Sequence, residues 1–156
     1  MSSDPTSVPA VGGLTPALAE IAEDFLALGP ADRLQLLHDL AWDLPALPEA
    51  LAADYGSLEQ VSECQSPIFL RVDVEQAAPR AVHVHVDAPA QAPTSRGFAE
   101  VVRAGLEGVP AEQALAVPDD LAVRLGLGEV VSPLRLHGMA GLLTRVKRQV
   151  SRAVTA

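Results

Sequence analysis

The side chain best suited to covalent chemistry in this sequence is that of its single cysteine, Cys64. A lone thiol cannot form an intrachain disulfide, nor can it build a multi-thiolate zinc or iron–sulfur site within one chain. Its neighbours in 62–67 are polar or proline, which is typical of an exposed loop. Thiols react as thiolates, and the adjacent acid Glu63 favours the protonated form. Cys64 is therefore either a small core side chain or a nucleophile that needs a cation, such as Arg96 or Arg135, or a partner protein.

The histidines offer weaker candidates. His83 and His85 lie two apart in an alternating segment, so they share one face of a strand, but two ligands are too few for a metal site. Pairing with charged residues of the neighbouring strand is the interpretation that we favour. His38 lies within a predicted helix and reads as a structural residue. A cysteine hydrolase would need a histidine beside Cys64, and the sequence does not indicate one.

Charge is distributed unevenly along the chain. The formal net charge of -9 excludes a typical nucleic-acid-binding protein, because phosphate recognition needs a basic face. All 20 acidic residues lie at or before Glu129, whereas 130–156 contains five basic residues. These cations either complement the C-terminal dipole of a helix or form a docking face for an acidic partner. Arg135 falls in the first turn of that helix, where it either binds an anion or carboxylate or has no specific role.

The length of 156 residues and the 49% hydrophobic content indicate one domain, and the 3% aromatic content makes its core aliphatic. No apolar run is long enough to span a membrane. Residues 1–13 lack a basic residue and a continuous apolar block, so we expect no signal peptide and a cytoplasmic protein. We predict a disordered tail at 1–13 and a single domain at 14–156.

Two kinds of periodicity predict the elements that position Cys64. Proline-led helical patterns begin at Pro16, Pro30, Pro110, Pro118 and Pro133, and another surrounds Phe98. The first two predict an antiparallel helical pair, and 48–63 reads as a connection without clear period. Alternation with a period of two over 68–75 and 82–87 predicts a β-hairpin directly after Cys64. The order of helices, hairpin and helices predicts an α+β fold, a small antiparallel sheet covered on one face by helices.

Several segments together resemble one known family. Cys64-Gln65-Ser66, before an apolar strand, resembles the hallmark of the SufE family. The segment 26–48 is similar to the family's N-terminal helical pair, and 96–98 to the start of its middle helix. The segment 125–139 resembles the family's Ser-Pro-x-Arg-x-x-Gly helix start. The resemblance spans about residues 14–152 in the expected order.

The resemblance implies a fold related to the cluster scaffold IscU and a role as sulfur acceptor. SufE proteins take persulfide sulfur from a group II cysteine desulfurase of the SufS type, stimulate it, and pass the sulfur to downstream Suf scaffold proteins. Cys64 would carry the persulfide, with no independent turnover, no metal and no cofactor of its own, since pyridoxal phosphate belongs to the desulfurase. No nucleic acid or membrane is involved. The alternative is a non-catalytic interaction or regulatory module with an inert structural cysteine.

The resemblance also implies residues that support Cys64 or bind the partner: Glu63, Gln65, Ser66, Asp87, Arg96, Arg135 and His137. The chain departs from the family pattern at three of these places. Glu63 replaces a common glycine, Asp87 is what remains of an acidic-Ser-acidic stretch, and Leu136-His137 replaces a polar-Asn pair. Because Glu63 disfavours a thiolate, we expect Cys64 to rest in a hydrophobic-floored pocket and to swing outward on docking.

Overall fold

The computed structural model describes residues 11–156. Along the chain, helices come before and after a small antiparallel sheet. The elements are α1 (Pro16–Leu26), α2 (Pro30–Leu40), α3 (Glu49–Ala53), β1 (Glu59–Gln60), β2 (Phe69–Val74), β3 (Val82–Asp87), α4 (Pro93–Leu106), α5 (Ala111–Leu115), α6 (Leu121–Arg124) and α7 (Pro133–Thr155). Of the predicted tail, residues 1–10 lie outside the described residues, and Val11–Gly13 forms a 3₁₀ turn.

The sheet has the strand order β1-β2-β3, with both neighbouring pairs antiparallel. In the hairpin, Leu70 pairs with Val86 and Val72 with Val84, and all four side chains are buried. The polar residues between them point to the opposite face, as the period of two predicts. Helices α4 and α7 pack on the buried face. The predicted α+β architecture, a small sheet covered on one face by helices, is confirmed.

Helices α1 and α2 pack mainly against α4 and less against each other, so the expected direct helical pair is a minor contact. The Thr15 hydroxyl caps α1 by accepting from the Leu18 amide and donates to the Gly105 carbonyl in α4. Glycines in α4 allow this close packing: a Cβ at Gly97 would overlap the Leu37 carbonyl oxygen of α2. The backbone of α4 therefore forms the centre of the helical layer.

The stretch before Cys64 is more ordered than its sequence indicates. It contains α3, a 3₁₀ turn at Tyr55–Ser57 and the two-residue strand β1, which pairs with the start of β2. The Val61 amide donates to the Ile68 carbonyl at 2.8 Å, and the Cys64 amide donates to the Val61 carbonyl at 3.1 Å. These bonds close a short loop between β1 and β2, and Cys64 lies in it.

The last helix begins as predicted. The Ser132 hydroxyl accepts from the Arg135 amide at 3.2 Å, and Pro133 occupies the first turn. The predicted apolar stripe is largely buried, with Met139 and Val146 among the core residues. No helix in 11–156 combines the length and the apolar character needed to cross a membrane.

Candidate functional site

Cys64 lies at the edge of the hydrophobic core. Its side chain is half-buried and packs against core residues, and its Sγ donates to the Gly138 carbonyl of α7 at 3.5 Å. The hydrophobic floor that we expected is therefore present on the inner side of the thiol.

Two glycines of α7 make room for the cysteine loop. A Cβ at Gly138 would lie 3.1 Å from Cys64 Sγ, and a Cβ at Gly141 would lie 2.6 Å from Glu63 Cγ. Residues three apart on a helix share one face, so the two glycines form one flat strip. The loop backbone and the Glu63 side chain occupy this strip.

A small cavity of about 60 Å³ opens beside the thiol. Its lining is mostly polar and comes from the loop, α4 and α7: Glu63, Cys64, Gln65, Ser66, Ser95, Leu134, Arg135 and Gly138. A space of this size and polarity accommodates a few water molecules. The outer walls of the predicted pocket are thus polar, unlike its floor.

Arg145 of α7 organises the charges around the loop. Its guanidinium donates to both carboxylate oxygens of Glu63 at 2.9 Å, to Glu59 at 2.6 Å and to the Ser62 hydroxyl at 2.8 Å. Gln149 donates to the other oxygen of Glu59 at 2.9 Å. A forked guanidinium–carboxylate pair is among the stronger hydrogen-bonded arrangements in proteins, so α7, β1 and the cysteine loop are joined here.

These surroundings keep Cys64 protonated. Burial first and the negative charge of Glu63 second raise the pKa of the Cys64 thiol to about 11, and the positive charge of Arg145 only partly opposes them. In contrast, the hydrogen bonds from Arg145 hold the pKa of Glu63 at about 2. Glu63 is therefore ionised at neutral pH, and the resting cysteine is a thiol and not a thiolate.

Some predicted site residues gather around Cys64. Glu63, Gln65, Ser66 and Arg135 all line the cavity. Arg135 is exposed, and within residues 11–156 its guanidinium has no hydrogen-bond or ion-pair partner. Arg135 therefore lines the cavity without a charged partner among the described residues, and whether it binds an anion or has no specific role stays a prediction.

Other predicted site residues lie elsewhere. Arg96 does not line the cavity; its guanidinium donates to the backbone carbonyls of Ala41, Ala88 and Leu44, which ties α4 to two loops. In this arrangement Arg96 does not reach the thiol, and a part for it in activating Cys64 stays a prediction.

Asp87 and His137 also lie outside the cavity. Asp87 accepts a 2.6 Å hydrogen bond from the Tyr55 hydroxyl at the end of β3. His137 is exposed on α7 and lines a separate apolar groove with Pro133 and Leu136, although its charge contributes slightly to the lowered pKa of Glu63.

The histidines do not form a site with the thiol. All four lie in the described part of the chain, and none hydrogen-bonds to Cys64 Sγ, so no cysteine–histidine dyad is formed there. His83 contacts Glu107 at 2.6 Å and Glu75 at 3.2 Å, and His85 lies 3.4 Å from Asp73. The predicted pairing across the strands with Asp73 or Arg71 is confirmed for His85, whereas the partners of His83 lie outside β2. Within 11–156 no group of three or more potential ligands could hold a metal.

Sequence analysis missed the α7 side of the site. Gly138, Gly141 and Arg145 lie three and four positions apart, a spacing that places them on one helical face. The signal was available as a pair of small residues preceding an arginine in an otherwise basic helix. The partners of this helical face could not be deduced, because Arg145 contacts Glu63 and Glu59, which precede it by 82 and 86 positions in the sequence.

Comparisons with known proteins show which family and which fold this chain is similar to. The family model described as "SufE: Fe-S metabolism associated domain" matches residues 19–150. Two proteins from different strains of Mycobacterium tuberculosis, each named an uncharacterized SufE-like protein, are 47% identical over 149 residues, covering 96% of this chain and 97% of theirs. A solution structure of a hypothetical protein from Thermus thermophilus has a TM-score of 0.79 at 36% identity, covering 92% of this chain and 99% of that one.

Proposed function

The chain belongs to the SufE family and thus to Fe–S metabolism; from this premise we propose that Cys64 accepts sulfur from a group II cysteine desulfurase of the SufS type. The acceptor then delivers that sulfur to downstream scaffold proteins of iron–sulfur cluster assembly and stimulates the desulfurase by unloading it. The chain has no turnover of its own in this scheme. We expect the reaction in the cytoplasm, where a lone thiol stays reduced.

The transfer is a thiol exchange. The Cys64 thiolate attacks the outer sulfur of the persulfide on the desulfurase cysteine, a new S–S bond forms, and the donor's S–S bond breaks. The donor cysteine leaves as a thiolate and takes up the proton that Cys64 lost. Atoms and electrons balance without an external oxidant, since one thiol and one persulfide become one persulfide and one thiol. A single cysteine suffices for this step.

The observation that carries the proposal is the position of the only thiol in a short loop at the rim of a polar cavity. A structural cysteine is usually enclosed by apolar side chains on all sides. Here the polar residues Gln65 and Ser66 line the cavity with Cys64, and the cysteine itself is only half-buried. This arrangement supports a nucleophile that is presented on docking.

The free cation at the cavity supports the same chemistry. The raised pKa of Cys64 makes a thiolate unfavourable at rest. Arg135 is exposed beside the thiol and has no ion-pair partner in 11–156, so it is available to stabilise negative charge on sulfur once the loop moves. An opposite charge within about 4–6 Å lowers a thiol pKa.

The experiment that tests the proposal is intact-protein mass spectrometry after incubation with the source organism's group II desulfurase and cysteine. We expect an adduct of about 32 Da, one sulfur atom on the oxidation scale of cysteine, and faster alanine release by the desulfurase. The matched control is Cys64→Ser, which removes the sulfur nucleophile and retains a hydroxyl of similar size. It should give neither the adduct nor the stimulation.

The alternative, an interaction module with an inert cysteine, predicts the opposite pattern. In that case no adduct forms, and Cys64→Ala leaves partner binding and desulfurase activity unchanged. An adduct that persists in Cys64→Ser would also contradict the proposal.

A further inference from the structure

The Glu63–Arg145 ion pair lies next to the thiol, and the charges of both residues act on it. From its geometry we infer that these two residues form a latch, which holds the loop 61–68 closed on α7 and restrains the reactivity of Cys64. The inference concerns regulation of the proposed sulfur-acceptor site, so its biological meaning rests on that function. The two physical properties that it concerns, the closed loop and the low reactivity of the Cys64 thiol, do not depend on that function.

The first argument is geometric. Glu63 directly precedes Cys64, and both of its carboxylate oxygens accept from Arg145 at 2.9 Å. The backbone around Cys64 is held by fewer bonds, chiefly its own amide to the Val61 carbonyl. Apart from apolar packing, the ion pair is therefore the strongest contact between the cysteine loop and α7 among the described residues.

The second argument is that one half of the pair is fixed. Arg145 also donates to Glu59 in β1 and to Ser62, and Gln149 holds Glu59 in place. The Glu63 carboxylate accepts from its own backbone amide, and within residues 11–156 its hydrogen bonds to other side chains are those from Arg145. When the latch opens, Glu63 moves with the loop while Arg145 stays on the helix.

The third argument concerns the charges that face Cys64. From the loop comes Glu63, from α7 come Arg145 and the more exposed Arg135, and β1 contributes Glu59 behind Arg145. Helix α4 contributes only the uncharged Ser95 to the cavity. Glu63 thus neutralises the cation whose charge acts on the thiol and adds a negative charge in the residue next to Cys64. The closed latch therefore disfavours the thiolate as well as access to it.

The two readouts of the test are hydrogen exchange of the peptide covering 61–68 and the rate of Cys64 alkylation by iodoacetamide at pH 7.5. Glu63→Gln keeps the shape of the side chain and removes its charge. We expect faster exchange of the Val61 and Cys64 amides and alkylation about tenfold faster, equivalent to one pKa unit in thiolate fraction. Because exchange does not depend on thiol ionisation, it separates opening of the loop from a change in pKa.

Control variants isolate the latch. Glu59→Gln removes another carboxylate from Arg145 without touching the loop, and Asp120→Asn breaks a remote pair with Arg124. We expect less than about twofold change in both readouts for either variant, below the factor attributed to Glu63. Arg145→Lys retains the charge but loses the fork, so it should accelerate exchange of 61–68 and leave β2 and β3 protected.

Unchanged exchange and alkylation in a folded Glu63→Gln variant would overturn the inference. Equal effects of Glu59→Gln and Glu63→Gln would overturn it too, because total charge and not the loop contact would then be responsible. Rapid exchange throughout the hairpin would show that the Glu63→Gln variant is unfolded. The exchange of 61–68 in Arg145→Lys then decides whether the latch exists. Neither readout uses a desulfurase, so a failed latch leaves the sulfur-transfer proposal intact, and a missing sulfur adduct leaves the latch intact.

Discussion

The Glu63 side chain lies on the surface of α7 where Gly141 leaves space: a Cβ added at Gly141 would come within 2.6 Å of Glu63 Cγ. Real side chains do not approach so closely, so a residue larger than glycine would push Glu63 away from Arg145. The helix thus has a glycine at the position where it receives the loop. The cost in intrinsic helix stability is about 1 kcal/mol relative to alanine.

Gly141→Ala should accordingly increase the reactivity of Cys64 without changing any charge. The added methyl group displaces Glu63 and loosens the loop. We therefore expect Cys64 to react with iodoacetamide at least about threefold faster, a change in rate equal to that caused by about half a pKa unit. Gly128→Ala is the control, since nothing lies within 4 Å of a Cβ there. An unchanged alkylation rate in folded Gly141→Ala would contradict the close packing.

The resting thiol should be unusually unreactive. Burial and Glu63 raise the pKa of Cys64 from 9.0 to about 11. At pH 8 we therefore expect the native protein to react with iodoacetamide about a hundredfold more slowly than the urea-unfolded chain, since each pKa unit changes the thiolate fraction tenfold. The alkylation rate measured from pH 7 to 10 checks this. A native thiol pKa below 7 is the opposite result.

Stability should depend on acid through Glu63. Hydrogen bonds from Arg145 lower the pKa of Glu63 from 4.5 to about 2 in the folded protein. A lowered folded-state pKa means that the contribution is complete above pH 4.5 and disappears as the pH falls toward 2. Since Glu63 is partly exposed, we expect Glu63→Gln to lower the free energy of unfolding at pH 7 by about 1–2 kcal/mol.

Urea unfolding at pH 7 and at pH 3 measures this difference. The gap between wild type and Glu63→Gln should shrink markedly at pH 3. Glu20→Gln, an exposed substitution in α1, should show little difference at either pH. A gap of equal size at both pH values would mean that the ion pair is not the origin of the effect.

Arg96→Gln should affect stability and not the thiol. The guanidinium donates to the Ala41, Ala88 and Leu44 carbonyls, and its loss leaves buried acceptors unsatisfied. We expect the free energy of unfolding to fall by about 2–4 kcal/mol. The exposed arginine Arg124, paired with Asp120, is the matched control, and Arg124→Gln should cost less than about 1 kcal/mol. A changed rate of Cys64 alkylation in the folded Arg96→Gln variant would contradict this prediction and show that Arg96 influences the thiol.

Much of the fold could be predicted because its signals are local. The alternation over 68–87 predicts the hairpin and its buried face, and each capping residue, Thr15 and Ser132, starts a helix as expected. The strand β1 could not be predicted, because two residues are too few to show an alternating pattern. Its extended conformation is stabilised by pairing with β2. The placement of Arg96 away from the cavity could not be predicted for a similar reason, since its three carbonyl partners come from two other segments.

The sequence by itself determined that there is one thiol, that it lies before a strand, and that an acid adjoins it. Only the tertiary structure decided that α7 receives this loop on Gly138 and Gly141, and that Arg145 pairs with the acid. Covalent neighbours and periodicity are properties of short segments, whereas the charge state of Cys64 depends on burial and on a guanidinium brought from 81 residues away by folding, as the two residue numbers show.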